Sequence, residues 1–563
     1  MFNKRELIRK FINENKGIAA GAFAFGFMGV VSSILIPLFI GKFYQLAFQT
    51  HSARGKLFDN IFGHVTDMSY FFILFFSLLF CRFIFNYFEK YFSGINGELF
   101  AKYLREKLFA KQLVTTMQAF EKKESGAYLL RYSGDLQSAQ NYLTKGIIGF
   151  IVDCLFIILA IAFFISINLE LTFVVFLVFP LIFLVNHFLN IKLKKLTRSK
   201  RNTRSSNLAF VASRLKAIAT IKIYNREIIE QDKFNNRSAK LYGYGKKYMR
   251  LYAVINALYS FLLYAMLGGI LYTAWQIIQS GNQSIDGGTI LTYIMLTIST
   301  IPVYKRILKV NTIWQAGDVS LRKLLLILNA EEEVRTKEQG VKIKYGAIHI
   351  NHLSFGFDQS KPLFKDLSLE IQPNQITYIT GPQGSGKSTL FKLLTGLYKY
   401  DQGSIRLDGF EINEISTYSL RKNIVLVSDE LPLLGKTIFE VVTYSRKEEK
   451  REAAQKMLNQ LGMKINHHEN ILSNPVKEAG NNLSAGQRKL LMIARALLTN
   501  KKIILLDEPF KDLEMEYQER LSDILNELKS KHTIVIISGE NQTILNPDHL
   551  IHLNQHAAKP VLI

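Results

Sequence analysis

Apolar residues in the first part of the chain fall in long runs that are almost free of charged side chains. Most of these runs reach the roughly 20 residues that a helix needs to cross about 30 Å of hydrocarbon. They predict six membrane-spanning helices, at residues 17–41, 68–81 with an extension past Arg82, 146–168, 171–191, 251–280 and 287–304.

The segments between the spans alternate in length and in basic content. Residues 168–170 and 281–286 are short and lack Lys and Arg, whereas residues 82–145 and 192–250 are long and rich in both. Because basic segments stay on the cytoplasmic side, we expect a protein of the cytoplasmic membrane with both termini and the two long segments in the cytoplasm. The long segments keep helical periodicity, so the membrane helices are expected to continue beyond the membrane.

The pattern changes after residues 327–340, a charged and apolar-poor stretch, to short β-rich runs that alternate with helical ones. This alternation is typical of an α/β domain with a P-loop. We therefore predict an α-helical six-span membrane domain at residues 1–325, a linker at 326–342 and an α/β P-loop nucleotide-binding domain at 343–563.

Composition narrows the choice of partners. The formal net charge of +24 over 563 residues could suit a nucleic acid, but the basic residues cluster beside the apolar runs. That distribution favours membrane topology and a lipid environment, so no nucleic-acid partner is predicted. The two cysteines, Cys81 and Cys154, lie far apart in apolar runs and suggest neither a disulfide framework nor a zinc site.

Three ionisable residues fall within the apolar runs: Arg82, Asp153 and His187. A charge inside a membrane is costly, and one interpretation is a substrate or proton site. The other interpretation, which we favour, places these residues at the interface or in the cytoplasmic extensions of the helices. Asp153 and His187 fall at similar depth, so a pair between them stays open.

The strongest motif is the G-x-x-x-x-G-K-S loop within ITGPQGSGKSTL, formed by Gly381, Gly386, Lys387 and Ser388. It follows an apolar strand and precedes a helix, as a phosphate-binding loop requires. Glycines let backbone N–H groups surround phosphates, the lysine reaches the terminal phosphates, and the serine supplies a hydroxyl to Mg²⁺. ATP and Mg²⁺ are therefore the predicted cofactors.

Two further segments favour nucleotide chemistry. The apolar strand in KKIILLDEP ends at Asp507 and Glu508, where one carboxylate can hold Mg²⁺ and the next can polarise the attacking water. Upstream, NNLSAGQRKLLMIARALL places Ser484 and Gly486 at the start of a long helix, whose N–H groups and dipole favour a phosphate.

In this order behind six spans, the phosphate loop, LSAGQ and LLDEP resemble those of an ATP-binding cassette (ABC) exporter half-transporter. The segments FEKKESGAYLLRYSGDL and LKAIATIKIYNRE also look like the two cytoplasmic turns by which such exporters touch their nucleotide domains. The resemblance implies two nucleotide domains that sandwich two ATP molecules, each site pairing one phosphate loop with the other domain's signature. The chain would then need a second half-transporter as its partner, in a homodimer or a heterodimer.

The resemblance also assigns roles by position. It implies that Phe357 stacks on adenine and that Glu508 and Lys387 are catalytic. It places Ser388, Asp507 and Asp429 at the metal. The nucleotide-binding residues that it implies are Phe357, Gly381, Gly384, Ser385, Gly386, Lys387, Ser388, Thr389, Ser484, Gly486 and Gln487.

Several positions depart from the family pattern. Ala485 stands in the signature where glycine is usual. Asp429 replaces a glutamine that senses Mg²⁺ and water, and Glu514 replaces the aspartate of a loop that crosses the dimer. Gly539 replaces a switch histidine that contacts the γ-phosphate. Loss of such a contact can cost about 3–4 kcal/mol, a hundredfold or more in rate, so ATP binding should survive better than hydrolysis.

These observations predict ATP-driven export of an unidentified amphipathic substrate by half of a dimeric transporter. The alternative is a regulatory, ATP-binding half paired with a catalytic partner. The departures favour this alternative and the intact Glu508 opposes it. A soluble cassette ATPase acting on DNA or ribosomes uses the same motifs but is disfavoured by the six spans, and the exporter-like order of the fused parts disfavours an importer.

Overall fold

A computed structural model describes the chain at residues 3–48, 58–59, 62–121, 128–129, 131–279, 286–333, 341, 343–358, 361–464, 471–539, 544–554 and 557–561. The chain divides into two compact units. The first, here the membrane unit, comprises Met1–Ala110 and Ser125–Asn329. The second, the nucleotide unit, comprises Lys111–Glu124 and Ala330–Ile563.

Long helices make up the described part of the membrane unit. Up to residue 328 the elements are α1 (Lys4–Glu14), α2 (Lys16–Phe48), α3 (Met68–Leu113), α4 (Met117–Glu121), a π-helical segment (Arg131–Asp135), α5 (Leu136–Asn141), a second π-helical segment (Tyr142–Ile148), α6 (Gly149–Ile167), α7 (Leu169–Lys216), α8 (Ile218–Ile223), α9 (Glu227–Gln279) and α10 (Gly287–Leu328). Of these, α4 belongs to the nucleotide unit.

Five helical stretches among the described residues are long and apolar enough to cross a membrane. They are Lys16–Phe48, Met68–Leu113, Arg131–Ile167, Glu227–Gln279 and Gly287–Leu328. The remaining predicted run lies inside α7, several of whose side chains are outside the described residues, so the count of six spans stays a prediction. The helices α9 and α10 have 53 and 42 residues, far more than the roughly 20 that a span needs, as the helical periodicity indicated.

Helices α2 and α10 come into close contact where Gly41 faces Gly288. A Cβ atom on Gly41 would lie 1.7 Å from Oγ1 of Thr292 and 2.8 Å from the carbonyl oxygen of Gly288. The Thr292 hydroxyl is itself held, because it donates to that carbonyl at 2.8 Å. Small residues at this point let one helix backbone approach the other, a common way for membrane helices to pack.

An ion pair joins α6 to α10. Nε of Arg306 donates to both carboxylate oxygens of Asp153, at 2.9 and 3.1 Å. The side chain of Asp153 is 9% exposed and that of Arg306 is 59% exposed. Asp153 therefore has a partner that the sequence did not point to. The side chain of His187 lies outside the described residues, and Arg82 is half-buried in α3.

The nucleotide unit combines two sheets with helices packed on them. Its strands are β1 (Ile348–Phe355), β2 (Phe364–Ile371), β3 (Ile376–Thr380), β4 (Gln402–Leu407), β5 (Phe410–Glu411), β6 (Ile424–Val427), β7 (Ile503–Asp507), β8 (Thr533–Ile537), β9 (His549–Asn554) and β10 (Ala557–Val561). Its helices after α10 are α11 (Lys387–Leu394), α12 (Thr417–Asn423), α13 (Ile438–Thr443), α14 (Arg451–Gln460), α15 (Ala485–Leu498) and α16 (Met515–Leu528). The four-stranded sheet has the order β2-β1-β4-β5 and the six-stranded sheet the order β10-β9-β3-β8-β7-β6.

Three buried parallel strands place the predicted motifs at one edge of the larger sheet. Ile537 at the end of β8 pairs with Ile379 of β3 and with Asp507 of β7. Because the strands run in the same direction, the residues that follow them leave at the same edge. These residues are the phosphate loop after β3, Glu508 after β7 and Gly539 after β8.

The short helix α4 and its flanks pack with the nucleotide unit, although they lie far from it in sequence. Nε2 of Gln118 donates to the carbonyl oxygen of Lys399 at 3.1 Å, and the hydroxyl of Tyr398 donates to Glu121 at 2.6 Å. Residues 120–121 begin the first of the two cytoplasmic turns that the resemblance singled out, and residues 122–127 and 130 of that turn lie outside the described residues. Domain boundaries that are contiguous in sequence could not assign α4 to this unit.

Candidate nucleotide-binding site

The phosphate loop connects β3 to α11 in a conformation that its glycines permit. Gly381 has φ +145° and Gly386 has φ +94°, values that other residues rarely adopt. A Cβ atom on Gly381 would lie 2.2 Å from the carbonyl oxygen of Leu553, and one on Gly386 would lie 2.6 Å from the ring of Phe364. Both glycines are therefore required by the fold, whereas Gly384 at φ +87° has open space beside it.

Two polar side chains of the loop are arranged as a phosphate site requires. Nζ of Lys387 donates to the carbonyl oxygens of Gly381 and Pro382, at 2.7 and 3.0 Å, so the lysine folds back over the loop. Ser385 is only 1% exposed, and its Oγ lacks a hydrogen-bond partner among the described residues. A buried hydroxyl without a partner is costly, and a phosphate oxygen would satisfy it. Thr389 follows, half-buried, in the first turn of α11.

Ser388 and Asp507 already form one cluster. The hydroxyl of Ser388 donates to the Asp507 carboxylate, and Oγ of Ser428 lies 3.3 Å from its Oδ2. Burial raises the pKa of Asp507, and the neighbouring Glu508 carboxylate adds to the rise. A half-buried carboxylate beside a hydroxyl, with a phosphate loop next to it, fits the needs of a Mg²⁺ ion that also binds phosphate oxygens.

Glu508 lies in the tight turn that follows β7. It has φ +48°, a left-handed conformation that is uncommon for a residue with a side chain and is frequent at functional sites. Its N–H donates to the carbonyl oxygen of Ile537 at 3.0 Å, which fixes the turn against β8. Its carboxylate forms an ion pair with Lys511 at 2.9 Å and is 40% exposed, so it can reach a ligand in front of the sheet edge.

Asp429 follows β6 and binds a lysine of another element. Its Oδ1 lies 2.8 Å from Nζ of Lys489, which is on α15. The same ammonium group donates to the main-chain oxygen of Glu508 at 3.2 Å. Asp429 is thus tied through Oδ1 to a lysine that also contacts the turn of Glu508, and its side chain is 55% exposed.

Phe357 follows β1 and is 68% exposed. Its ring packs edge-on against Phe355 at 5.3 Å and against Tyr398 at 5.6 Å between centroids. The rest of the ring is open to solvent and can stack on a planar base. Tyr398 is the same residue whose hydroxyl donates to Glu121 of α4.

The signature residues form a preformed helix start. Oγ of Ser484 accepts from the N–H of Gln487 at 3.1 Å, and Oε1 of Gln487 accepts from the N–H of Ser484 at 3.0 Å. This capping box opens α15, a helix of 14 residues whose first N–H groups favour an anion. Ala485 is exposed, and a Cβ atom on Gly486 would lie 2.8 Å from the carbonyl oxygen of Asp512.

Two departures remain, Gly539 after β8 and Glu514 before α16. A Cβ atom on Gly539 would have nothing within 4 Å, so the position where the resemblance implies a histidine opens onto free space. Glu514 precedes α16, and its side chain makes no capping hydrogen bond there.

Comparison with known proteins decides the family. The profile of the ABC transporter transmembrane region matches residues 20–301, about half of the chain, and the ABC transporter profile matches residues 364–511. The chain belongs to the ABC transporter family. The predicted fusion of a membrane domain and a nucleotide-binding domain, as in a half-transporter, is confirmed, and so is the fold class.

Two curated relatives among the ABC transporters illustrate the similarity. The ATP-dependent lipid A-core flippase of Pasteurella multocida is 26% identical over 89% of this chain and 87% of its own length. The multidrug resistance ABC transporter ATP-binding and permease protein of Lactococcus lactis subsp. lactis is 26% identical over 82% of this chain and 78% of its own length. Both alignments extend over the membrane and nucleotide parts.

Among solved structures, a bacterial Atm1-family ABC exporter with ATP bound has the same fold. Its TM-score is 0.81 at 18% sequence identity, with 96% of this chain and 94% of that chain covered. The fold of this ABC transporter is therefore that of an exporter.

Sequence motifs did not reveal every residue of the site. Lys489, Lys511, Ser428 and Tyr398 each touch a predicted site residue, yet the motifs assigned a role to none of them. Lys489 had a detectable signal, because a lysine falls on the apolar face of α15, where the residues one helical turn later are buried. Ser428, Lys511 and Tyr398 gave no such signal. Each of them either contacts a residue that is distant in sequence or lies on the surface.

Proposed function

We propose that this ABC transporter uses ATP to export an amphipathic substrate across the cytoplasmic membrane, as one half of a dimer. One observation carries the proposal. The chain has apolar helices long enough to cross a membrane and, in its nucleotide unit, Lys387 and Ser388 of the phosphate loop lie at the same sheet edge as Asp507 and Glu508.

The relatives support the direction of transport and the substrate class. One relative is named as a flippase of a lipid, and the other is named for resistance to several drugs. The helices of the membrane unit are rich in aromatic and aliphatic side chains, which suit such a substrate. We propose an amphipathic lipid or drug-like molecule, with both termini and the nucleotide unit in the cytoplasm.

In the proposed mechanism, residues of this chain bind and orient the nucleotide. Phe357 stacks on the adenine, the N–H groups of the loop surround the phosphates, and the Ser385 hydroxyl gains its missing partner there. Lys387 leaves the carbonyl oxygens of its own loop for the terminal phosphates. Ser388 and Asp507 would hold Mg²⁺, which supplies positive charge to the transferring phosphoryl group.

Glu508 is the proposed general base. Its carboxylate leaves Lys511 and orients the attacking water in line with the terminal phosphate. The signature residues Ser484, Gly486 and Gln487 would complete the site on the partner half, and the partner's signature would complete the site on this chain. Closure of the two nucleotide units around ATP would turn the substrate cavity outward, and hydrolysis would reset it.

Hydrolysis by purified protein is the decisive test. The full chain in lipid nanodiscs, with its oligomeric state measured, should hydrolyse ATP as a homodimer, and an amphipathic substrate should stimulate the rate. The matched control is Glu508→Gln, which should bind ATP but lose turnover. Tight ATP binding without Glu508-dependent turnover would refute the homodimeric exporter and favour a regulatory half with a catalytic partner chain.

A further inference from the structure

Lys489 places a buried cation next to the nucleotide site. Its side chain is 1% exposed, and its Nζ contacts Oδ1 of Asp429 at 2.8 Å and the main-chain oxygen of Glu508 at 3.2 Å. One ammonium group therefore links helix α15 to the loop after β6 and to the turn after β7. We propose that Lys489 is a positioning residue that neutralises Asp429 and fixes the turn of Glu508 for hydrolysis, an inference that rests on the proposed function.

Charge at the site is the first reason. Asp429, Asp507 and Glu508 are three carboxylates around the place where a triphosphate would bind, and like charges in one site oppose both one another and the phosphates. Asp429 stands where the family resemblance implies a neutral amide. The positive charge of Lys489 cancels the added negative charge, so the pair is equivalent in net charge to two neutral side chains.

Burial is the second reason. An ammonium group that loses its counter-ion while it stays buried is strongly destabilising, because its interaction with water is not replaced. The Asp429 side chain is 55% exposed, so the carboxylate tolerates separation better than the ammonium group does. The pair is therefore held together mainly because the buried ammonium group of Lys489 would be destabilised without a counter-ion. Lys489 thereby fixes the orientation of the Asp429 carboxylate.

The pair also sets how Asp429 can interact with a metal. Because Oδ1 is bound to Lys489, a metal that took this oxygen would have to displace a buried ammonium group. Lys489 therefore competes with a metal for Oδ1 of Asp429. Its removal should release the carboxylate and increase the affinity of the site for a divalent ion, whereas removal of Asp429 should not.

The position of Lys489 along α15 relates it to the signature as well as to Asp429. The helix starts at the signature, and Ser484 caps it five residues before Lys489. In the proposed dimer the signature serves the ATP bound by the partner, while Asp429 and Glu508 serve the ATP bound by this chain. Lys489 therefore connects the helix that begins at the signature to residues of this chain's own proposed site.

Thermal unfolding of the full chain in nanodiscs, without nucleotide, tests the pair. We compare Asp429→Gln, Lys489→Gln and the double variant with wild type. Asp429→Gln should lower the midpoint by about 4–8 °C because it leaves the buried cation unpaired, and the double variant should recover most of this loss. The control is Lys501→Gln, which alters a half-buried lysine that donates to the carbonyl oxygens of Arg421 and Ile424, and its effect should add to that of Asp429→Gln.

Metal dependence distinguishes positioning from packing. In Lys489→Gln we expect ATP turnover to fall about tenfold, with KM for ATP within about twofold of wild type. The Mg²⁺ concentration for half-maximal turnover should fall about threefold or more, and Mn²⁺ should bind the nucleotide-free protein more tightly by a similar factor. A purely structural role would lower the unfolding midpoint and leave both metal measurements unchanged.

Two results would overturn the proposal: a double variant that is no more stable than Asp429→Gln, or unchanged Mn²⁺ affinity in Lys489→Gln. Neither measurement requires turnover. A wild-type chain without ATPase activity would therefore refute hydrolysis by this chain alone, while the stability cycle and the Mn²⁺ titration would still decide whether Lys489 governs Asp429.

Discussion

Replacing Gly41 by alanine should push α2 away from α10 and destabilise the membrane unit. The new Cβ atom would lie 1.7 Å from Oγ1 of Thr292, so that oxygen would have to move by more than about 1 Å to reach a normal contact distance. Thr292 is not free to rotate, because its hydroxyl donates to the carbonyl oxygen of Gly288 at 2.8 Å. That carbonyl oxygen would itself lie 2.8 Å from the new atom.

The expected loss follows from these contacts. Overpacking of a tight contact costs about 1–3 kcal/mol, and loss of the Thr292 hydrogen bond adds about 1 kcal/mol. Higher helix propensity of alanine returns up to about 1 kcal/mol. A net loss of about 1–3 kcal/mol in the free energy of unfolding should lower the thermal midpoint of the chain in nanodiscs by about 2–5 °C.

A second glycine of the same helix provides the control. A Cβ atom on Gly29 of α2 would have nothing within 4 Å, so Gly29→Ala should melt at or slightly above the wild-type midpoint. Removing the nearest atom by Thr292→Ala should recover part of the loss caused by Gly41→Ala. Equal midpoints for Gly41→Ala and Gly29→Ala would refute the close approach of the two helices.

Three further outcomes are expected. Arg306→Met should lower the thermal midpoint more than Asp153→Asn, because it leaves a carboxylate that is only 9% exposed without its partner, whereas the arginine is 59% exposed. Equal losses would show that the pair is not asymmetric in burial. Tyr398→Phe keeps the ring beside the adenine position but removes the bond to Glu121, so ATP affinity should stay within about twofold while stimulation by substrate falls; a loss of ATP affinity alone would contradict this division. In Gly539→His the new side chain would enter open space, and the rate of ATP hydrolysis in single-turnover assays should rise, up to about a hundredfold. An unchanged rate would show that this position does not limit hydrolysis.

Contiguous features were the ones that the sequence predicted well. The phosphate loop depends on a strand, four residues of fixed spacing and a helix, all within one short segment, and the structure has them at Ile376–Thr380 and Lys387–Leu394. The strand that ends at Asp507 was equally visible, because a buried parallel strand is a continuous apolar run. Long apolar helices were evident for the same reason.

Features made by distant residues were not predictable in this way. Arg306 binds Asp153 across 153 positions, and no local pattern distinguishes this arginine from other basic residues at the ends of spans. The packing of α4 with the nucleotide unit depends on main-chain contacts such as Thr116 N–H to Glu331 O, which carry no residue signature. The contact between Lys489 and Asp429 could be predicted only from the relative positions of β6, β7 and α15.

The folded-back position of Lys387 has a consequence for the timing of the transport cycle. In this conformation of the loop its ammonium group already has two carbonyl acceptors, so an arriving nucleotide gains only the difference between those bonds and the new ones. Hydrogen bonds to charged groups contribute about 1.5–3 kcal/mol each, so this internal competitor lowers the net affinity for any nucleotide. ADP, which lacks the terminal phosphate, would compete less well than ATP with the loop carbonyls, so we expect the proposed ATP-binding lysine also to favour the release of ADP.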